Sequence, residues 1–128
     1  MIRMIALGLI ALIGALHGYI LWLEMFAWET RGPEVFSSFP PDLFPQTTTL
    51  AANQGLYNGF LAAGLFWSLL IRDPVWWARV ATFFLLCVAV AGAFGAATAS
   101  TRILFVQTVP AAVALVCVWL ARQNDGAA

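Results

Sequence analysis

Four long apolar stretches dominate the pattern of hydrophobic and polar positions along the chain. Each approaches the ~20 residues that a helix needs to cross the hydrocarbon core of a bilayer. The connections after the second and third stretches are tight turns, Arg72-Asp73-Pro74 and Ser100-Thr101-Arg102, so successive helices are expected to run antiparallel. The chain is therefore predicted to be all-α, a single integral membrane domain built as a four-helix up-down bundle, with spans at about 4–28, 50–71, 75–99 and 103–121.

The connection between the first two spans, residues 30–49, is long and carries two kinds of signal. It holds four prolines, which interrupt helices. It also holds apolar side chains, Phe36, Phe39, Leu43 and Phe44, which predict that it folds back onto protein or membrane. The hydroxyls of residues 47–49 are expected to cap the second long helix.

Composition supports a membrane protein. Hydrophobic residues make up 62% of the chain and charged residues 9%, whereas soluble domains average about 45–50% and about 25%. The zero net charge and the absence of basic clusters argue against a nucleic-acid partner. Cys87 and Cys117 lie inside apolar runs and are interpreted as packing residues. A single histidine is too few for a transition-metal centre, so no metal site is predicted and no cofactor is identified.

Arginines and tryptophans predict the orientation. More arginines fall on the side of the two termini than on the side of the 30–49 connection, which predicts that both termini lie in the cytoplasm. Four tryptophans near the cytoplasmic side are interpreted as interfacial anchors. The arginines on the terminal side are Arg3, Arg72, Arg79 and Arg122, those opposite are Arg31 and Arg102, and the tryptophans are Trp67, Trp76, Trp77 and Trp119.

The polar side chains of the spans concentrate in the half of the bilayer next to the 30–49 connection, when depth is counted at ~1.5 Å per residue. A channel would need polar lining on both sides of the midplane. The distribution predicts instead a pocket that opens to one face. The candidate ligand-binding residues are His17, Glu24, Asn53, Gln54, Tyr57, Asn58 and Gln107.

His17 and Glu24 are seven residues apart and share one helix face. Both are costly in hydrocarbon and should face protein. Their Cβ atoms would lie ~10 Å apart, so a ligand or water would have to bridge them. The alternatives are that Glu24 pairs with an arginine such as Arg31, and that His17 hydrogen-bonds an amide of the second helix. If a reaction takes place, Glu24 or His17 is the expected acid–base group.

Small residues recur every four positions in the second span, at Ala51, Gly55, Gly59 and Ala63. Such ridges let helix backbones approach closely, and packing within the chain is favoured over packing between subunits. Pro110 is expected to bend the fourth helix and to free the carbonyl of Val106.

Three stretches in the first two spans resemble the small four-span bacterial membrane proteins called domain of unknown function thirteen-oh-four (DUF1304). They are His17-Gly18-Tyr19-Ile20, Leu23-Glu24-Met25-Phe26-Ala27-Trp28 and the run from Ala52 to Gly64. The resemblance implies an integral membrane protein and brings no established activity. The architecture also resembles the membrane-associated glutathione and eicosanoid enzymes, but Thr49 and Leu56 stand where that family has an Arg and a Glu.

The leading functional hypothesis is a protein of the bacterial inner membrane that binds an amphiphilic or lipid-like molecule in the polar pocket, with the 30–49 connection acting as a lid. Conversion of that molecule by the protein is left open. A second hypothesis is an accessory subunit that docks another membrane protein. A third is a small oligomeric transporter. The expected partners are therefore membrane lipid, an amphiphile, and a second copy or another membrane protein.

Overall fold

The computed structural model describes residues 1–126, and nearly all of them are helical. No β-strand occurs in that range, which confirms the predicted all-α class. Two one-turn helices occupy the connection after the first long helix, and a π-helical segment precedes the last. In chain order the elements are α1 (Ile2–Phe26), α2 (Gly32–Val35), α3 (Leu43–Gln46), α4 (Thr48–Leu70), α5 (Pro74–Thr98), the π-helical segment (Leu104–Thr108) and α6 (Val109–Gly126).

Three helical stretches are long and apolar enough to cross a membrane: α1, α5 and the run Leu104–Asn124. The helix α4 has sufficient length, at 23 residues, but its side-chain amides and glycines lower its hydropathy. The four long helices lie where the sequence predicts spans. Length and composition nevertheless support three of those spans, and the four-helix up-down arrangement stays a prediction.

The residues form two compact units, Met1–Gly14 with Ala63–Ala128 (unit 1) and Ala15–Ala62 (unit 2). In unit 2, α1 and α4 approach closely at two glycines. A Cβ atom on Gly55 would lie 2.8 Å from Cγ of Met25 and 3.2 Å from the backbone oxygen of Leu21. A Cβ atom on Gly59 would overlap the Leu21 side chain. These two glycines therefore pack within the chain, as the sequence predicts for them.

The connection between α1 and α4 folds onto Trp28. The Trp28 ring lies 5.0 Å from the Phe44 ring and 5.6 Å from the Phe36 ring, centroid to centroid. Its Nε1 donates a hydrogen bond of 3.0 Å to Oγ1 of Thr47. The side chain of Phe44 is 1% exposed. This aromatic cluster confirms that the connection folds back onto protein.

The threonines at the start of α4 do not cap it as predicted. Oγ1 of Thr47 donates to the carbonyl of Leu43, and Oγ1 of Thr48 lies 3.0 Å from Oε1 of Glu29 and 3.2 Å from the carbonyl oxygen of Phe44. The one-turn helix α3 ends only two residues before α4 begins. The carbonyl oxygens of α3 therefore lie within hydrogen-bond distance of both threonine hydroxyls.

In unit 1, the helix α5 begins as its sequence predicts. Asp73 is the N-cap, its Oδ1 accepts a hydrogen bond of 2.8 Å from the backbone N–H of Trp76, and Pro74 occupies the first turn. An aspartate at the N-cap followed by proline is a typical helix start.

One predicted tryptophan anchor is wrong. Trp76 is 59% exposed, but Trp77 is 0% exposed and the guanidinium of Arg3 lies 5.1 Å from its ring centroid. Consecutive residues of a helix point ~100° apart, so Trp77 can face the core while Trp76 faces outward. Trp77 therefore belongs to the core of unit 1.

The disturbance predicted at Pro110 takes the form of the π-helical segment. The backbone N–H of Val109 bonds to the carbonyl of Leu104, five residues earlier. Because proline lacks an N–H, it cannot continue the α-helical ladder to Val106. The wider turn places Thr108 against α5, where its Oγ1 donates to the backbone oxygen of Ala89 at 3.1 Å.

Candidate functional site

Two of the predicted site residues form a direct contact in unit 2. Nδ2 of Asn58, on α4, donates a hydrogen bond of 3.1 Å to Oε2 of Glu24, on α1. The contact depends on the close helix approach, because a Cβ atom on Gly55 would lie 3.0 Å from Cβ of Glu24. Glycine at that position lets the two backbones come near enough for these short polar side chains to meet.

The hydrogen bonds of this pair leave only acceptor atoms unused. Nδ2 of Asn58 also donates to the backbone oxygen of Gln54 at 3.0 Å, so both amide hydrogens are engaged. Among the residues that the structure describes, Oε1 of Glu24 and Oδ1 of Asn58 accept no hydrogen bond. Both side chains are partly exposed. The Glu24–Asn58 pair therefore presents open oxygen atoms at the surface of the helix pair.

Two further predicted residues of α4 lie close to the pair in sequence, but they face different directions around the helix. Gln54 is one turn before Asn58 and about 40° from it around the helix, and its side chain is exposed. Tyr57 is 58% exposed, with its ring 6.2 Å from that of Phe60. Tyr57 points about 100° away from Asn58 around the helix, so the Gln54 amide lies beside the pair and the Tyr57 phenol does not.

Asn53 lies elsewhere, and the structure does not bring it to the pair. Gly55 faces α1, and a residue two positions earlier points about 160° away from it. The Asn53 side chain is exposed, and its Nδ2 donates to the backbone oxygen of Thr49 at 2.9 Å. Rotation about the α4 axis separates Asn53 from the other two amides.

The remaining two candidates occupy different surroundings. His17 is fully buried in unit 2, two turns before Glu24 on α1. Gln107 belongs to unit 1, where it is half-buried in the π-helical segment. A Cβ atom on Gly92 would lie 2.8 Å from its Cβ, so Gln107 packs against α5.

The alternative that Arg31 pairs with Glu24 is wrong, because Arg31 forms a salt bridge with Glu34, three residues along α2. Glu24 has no salt-bridge partner among the described residues. Nor does that part of the chain contain a group of three His, Cys, Asp or Glu residues placed to hold a metal ion. The Glu24–Asn58 pair is thus a carboxylate whose one polar neighbour is an amide.

Removing the amide should destabilise the helix pair. Asn58→Ala leaves Oε2 of Glu24 without its donor, and the coupling energy with Glu24→Ala in a double-mutant cycle is expected to be about 1 kcal/mol. The free energy of unfolding in mixed detergent micelles measures it. Asn53→Ala, also an Asn→Ala change on α4, should show no coupling to Glu24. A coupling energy near zero for Asn58 would mean that the hydrogen bond contributes nothing.

Sequence comparison identifies one relationship. A family model described as a protein of unknown function, DUF1304, matches residues 11–119. No curated protein matches the chain, and no solved structure matches it either. The likeness to glutathione and eicosanoid enzymes therefore gains no support.

Proposed function

Since the chain belongs to the DUF1304 family, we propose that it is a multi-pass protein of the bacterial inner membrane that binds an amphiphilic or lipid-like molecule. In this proposal α1, α4, α5 and the Leu104–Asn124 run form an up-down four-helix bundle with both termini in the cytoplasm. The surplus of arginines on the side of the termini supports that orientation.

The Glu24–Asn58 pair carries the proposal. Polar groups inside a membrane are costly unless they are hydrogen-bonded, and an ionisable one is a candidate functional site for that reason. The hydrogen bond between Glu24 and Asn58 satisfies one carboxylate oxygen and leaves Oε1 and Oδ1 open. Helix packing alone requires no open oxygen atoms at this place. A bound head group that fills them accounts for both residues.

The neighbouring residues suit an amphiphile. Gln54 lies one turn from Asn58 on α4 and can contact other polar atoms of the head group. Leu61, three residues after Asn58 on the same side of α4 and half-buried, is apolar and can contact an acyl or alkyl chain. In this proposal the folded connection, with Phe44 and Trp28 at its centre, covers the head group from the membrane surface.

Native mass spectrometry of the full chain released from detergent micelles tests the proposal. The wild-type protein should retain an amphiphile, and Glu24→Gln should lower the retained fraction at least tenfold, equivalent to about 1.4 kcal/mol. The matched control is Glu29→Gln, five residues along the chain. Glu29 is exposed and accepts a hydrogen bond from Oγ1 of Thr48, so this variant should behave as wild type. A wild-type protein without any bound molecule, or equal retention by both variants, would refute the proposal.

A second candidate function is that of an accessory subunit. The exposed Asn53, on the side of α4 away from Gly55, favours it, because a polar side chain on a helix within a membrane is stabilised by a protein neighbour. This function requires a second protein at fixed stoichiometry in the same mass spectra, and retention of that protein should fall with Asn53→Leu and not with Glu24→Gln.

A further inference from the structure

We infer that the head group bound at the Glu24–Asn58 pair is a hydrogen-bond donor, and specifically a protonated amine on a long-chain molecule. This inference rests on the proposed function and adds the chemical class of the ligand. It follows from the donors and acceptors of the pair and from the charges in unit 2.

The first step concerns hydrogen-bond donors. Both hydrogens of the Asn58 amide are already engaged, one by Oε2 of Glu24 and one by the backbone oxygen of Gln54. In its ionised form, which a cationic ligand favours, Glu24 has no hydrogen to donate. The pair therefore offers a ligand two oxygen atoms and no donor. A head group made only of acceptors, such as a carboxylate, a sulfate or a quinone carbonyl, would place oxygen against oxygen.

The second step concerns charge. Arg31 is the one arginine among residues 15–62, and its guanidinium is engaged by Glu34. Glu24 therefore has no arginine partner within its own unit, and it lies on a helix apolar enough to cross a membrane. A positive ligand group would supply the missing charge, and hydrogen bonds between charged groups are roughly twice as strong as neutral ones. An alcohol would satisfy the acceptors without supplying charge.

The third step asks which chemical group combines hydrogen-bond donors with a positive charge. A protonated primary amine carries three hydrogens and a positive charge, so it can bond Oε1 of Glu24 and Oδ1 of Asn58 together. A quaternary ammonium group has the positive charge but no N–H hydrogen to donate. Gln54, one turn along α4 from Asn58, has amide hydrogens of its own and can donate to oxygen atoms elsewhere in the same head group. The pair is therefore matched to an amine, whether that amine belongs to a membrane lipid or to a free long-chain molecule.

Four ligands with the same twelve-carbon chain separate these features: dodecylamine, dodecanol, dodecanoate and dodecyltrimethylammonium. Their binding to the full chain in phosphatidylcholine nanodiscs is measured by native mass spectrometry for wild type, Glu24→Gln and the control Glu29→Gln. The ratio of the Kd for Glu24→Gln to that for wild type cancels partitioning into the lipid. We expect a ratio of at least ten for dodecylamine, and less than three for dodecanoate and for dodecyltrimethylammonium. Dodecanol, which donates without charge, should fall between them, and Glu29→Gln should match wild type for all four.

The other outcomes are equally clear. A Glu24-dependent ratio for dodecanoate that equals or exceeds that of dodecylamine overturns the amine inference and leaves amphiphile binding intact. Equal ratios for the quaternary and the primary ammonium overturn the need for donors. If no ligand shows a ratio above three, the amine inference fails, and retention of the native molecule then decides the proposed function separately.

Nanodiscs that contain phosphatidylethanolamine distinguish the two sources of the amine. Retention of phosphatidylethanolamine over phosphatidylcholine by wild type, lost in Glu24→Gln, supports a membrane lipid as the ligand. Binding of dodecylamine without any preference between the two lipids supports a free long-chain amine.

Discussion

Phe44→Ala is expected to lower the free energy of local opening of the connection between α1 and α4 by about 3–5 kcal/mol, the usual cost of removing a fully buried phenylalanine ring. Phe44 is 1% exposed, and its ring lies between Trp28, at 5.0 Å, and Gly32. A Cβ atom on Gly32 would lie 3.0 Å from that ring. Without the ring, the one-turn helices α2 and α3 lose the aromatic surface through which they pack together.

Hydrogen exchange of residues 31–47 in detergent micelles measures this effect. Exchange through local opening should become a hundredfold faster or more in Phe44→Ala. Phe39→Ala is the matched control, because Phe39 is 37% exposed and stacks only on Phe36. Its exchange should change less than tenfold. Similar acceleration in both variants would show that Phe44 does not hold this segment in place.

Gly92→Ala is expected to destabilise unit 1 by about 1–3 kcal/mol through overpacking. The added Cβ atom would lie 2.5 Å from Oγ1 of Thr108 and 2.9 Å from its backbone nitrogen. A side chain can rotate away from such a contact, but a backbone nitrogen in the π-helical segment cannot. The displacement would also strain the hydrogen bond from Thr108 to the carbonyl of Ala89.

The free energy of unfolding in mixed micelles with increasing dodecyl sulfate gives the magnitude. The control is Gly8→Ala, since Gly8 is exposed on α1 and a Cβ atom there has nothing within 4 Å. Alanine stabilises a helix interior relative to glycine by roughly 0.5–1 kcal/mol, so Gly8→Ala should be neutral or slightly stabilising. If Gly92→Ala were no less stable than Gly8→Ala, the close packing of α5 against the π-helical segment would be wrong.

The positions of the helices follow from local features of the sequence. The span predicted at about 75–99 corresponds to α5, which runs from Pro74 to Thr98. A long apolar run sets the extent of such a helix, and Asp73 with Pro74 sets its start, because the cap and the proline act within one turn. The predicted and observed bounds of α5 therefore agree within one residue at each end.

Contacts between helices could be anticipated only in part. Counting at ~1.5 Å per residue from the predicted span ends places Glu24 ~6 Å and Asn58 ~12 Å from the membrane boundary next to the 30–49 connection. Because these depths differ, they do not predict a contact between the two side chains. The structure shows them hydrogen-bonded. Depth counting does not determine the offset of one helix along another or the rotation of each helix about its axis. In this chain the close contact of α1 with α4 at Gly55 determines both.

The sequence by itself determined that the chain is all-α, where its long helices lie and which polar side chains are candidates for chemistry. These properties depend on hydrophobicity, length and capping, which act over short distances along the chain. Only the tertiary structure decided that Glu24 meets Asn58, that Asn53 turns away, that Trp77 is buried beside an exposed Trp76, and that the region before Pro110 widens into a π-helix. Each of these depends on the rotation and offset of packed helices, which are set by the fit of small and large side chains distant in sequence.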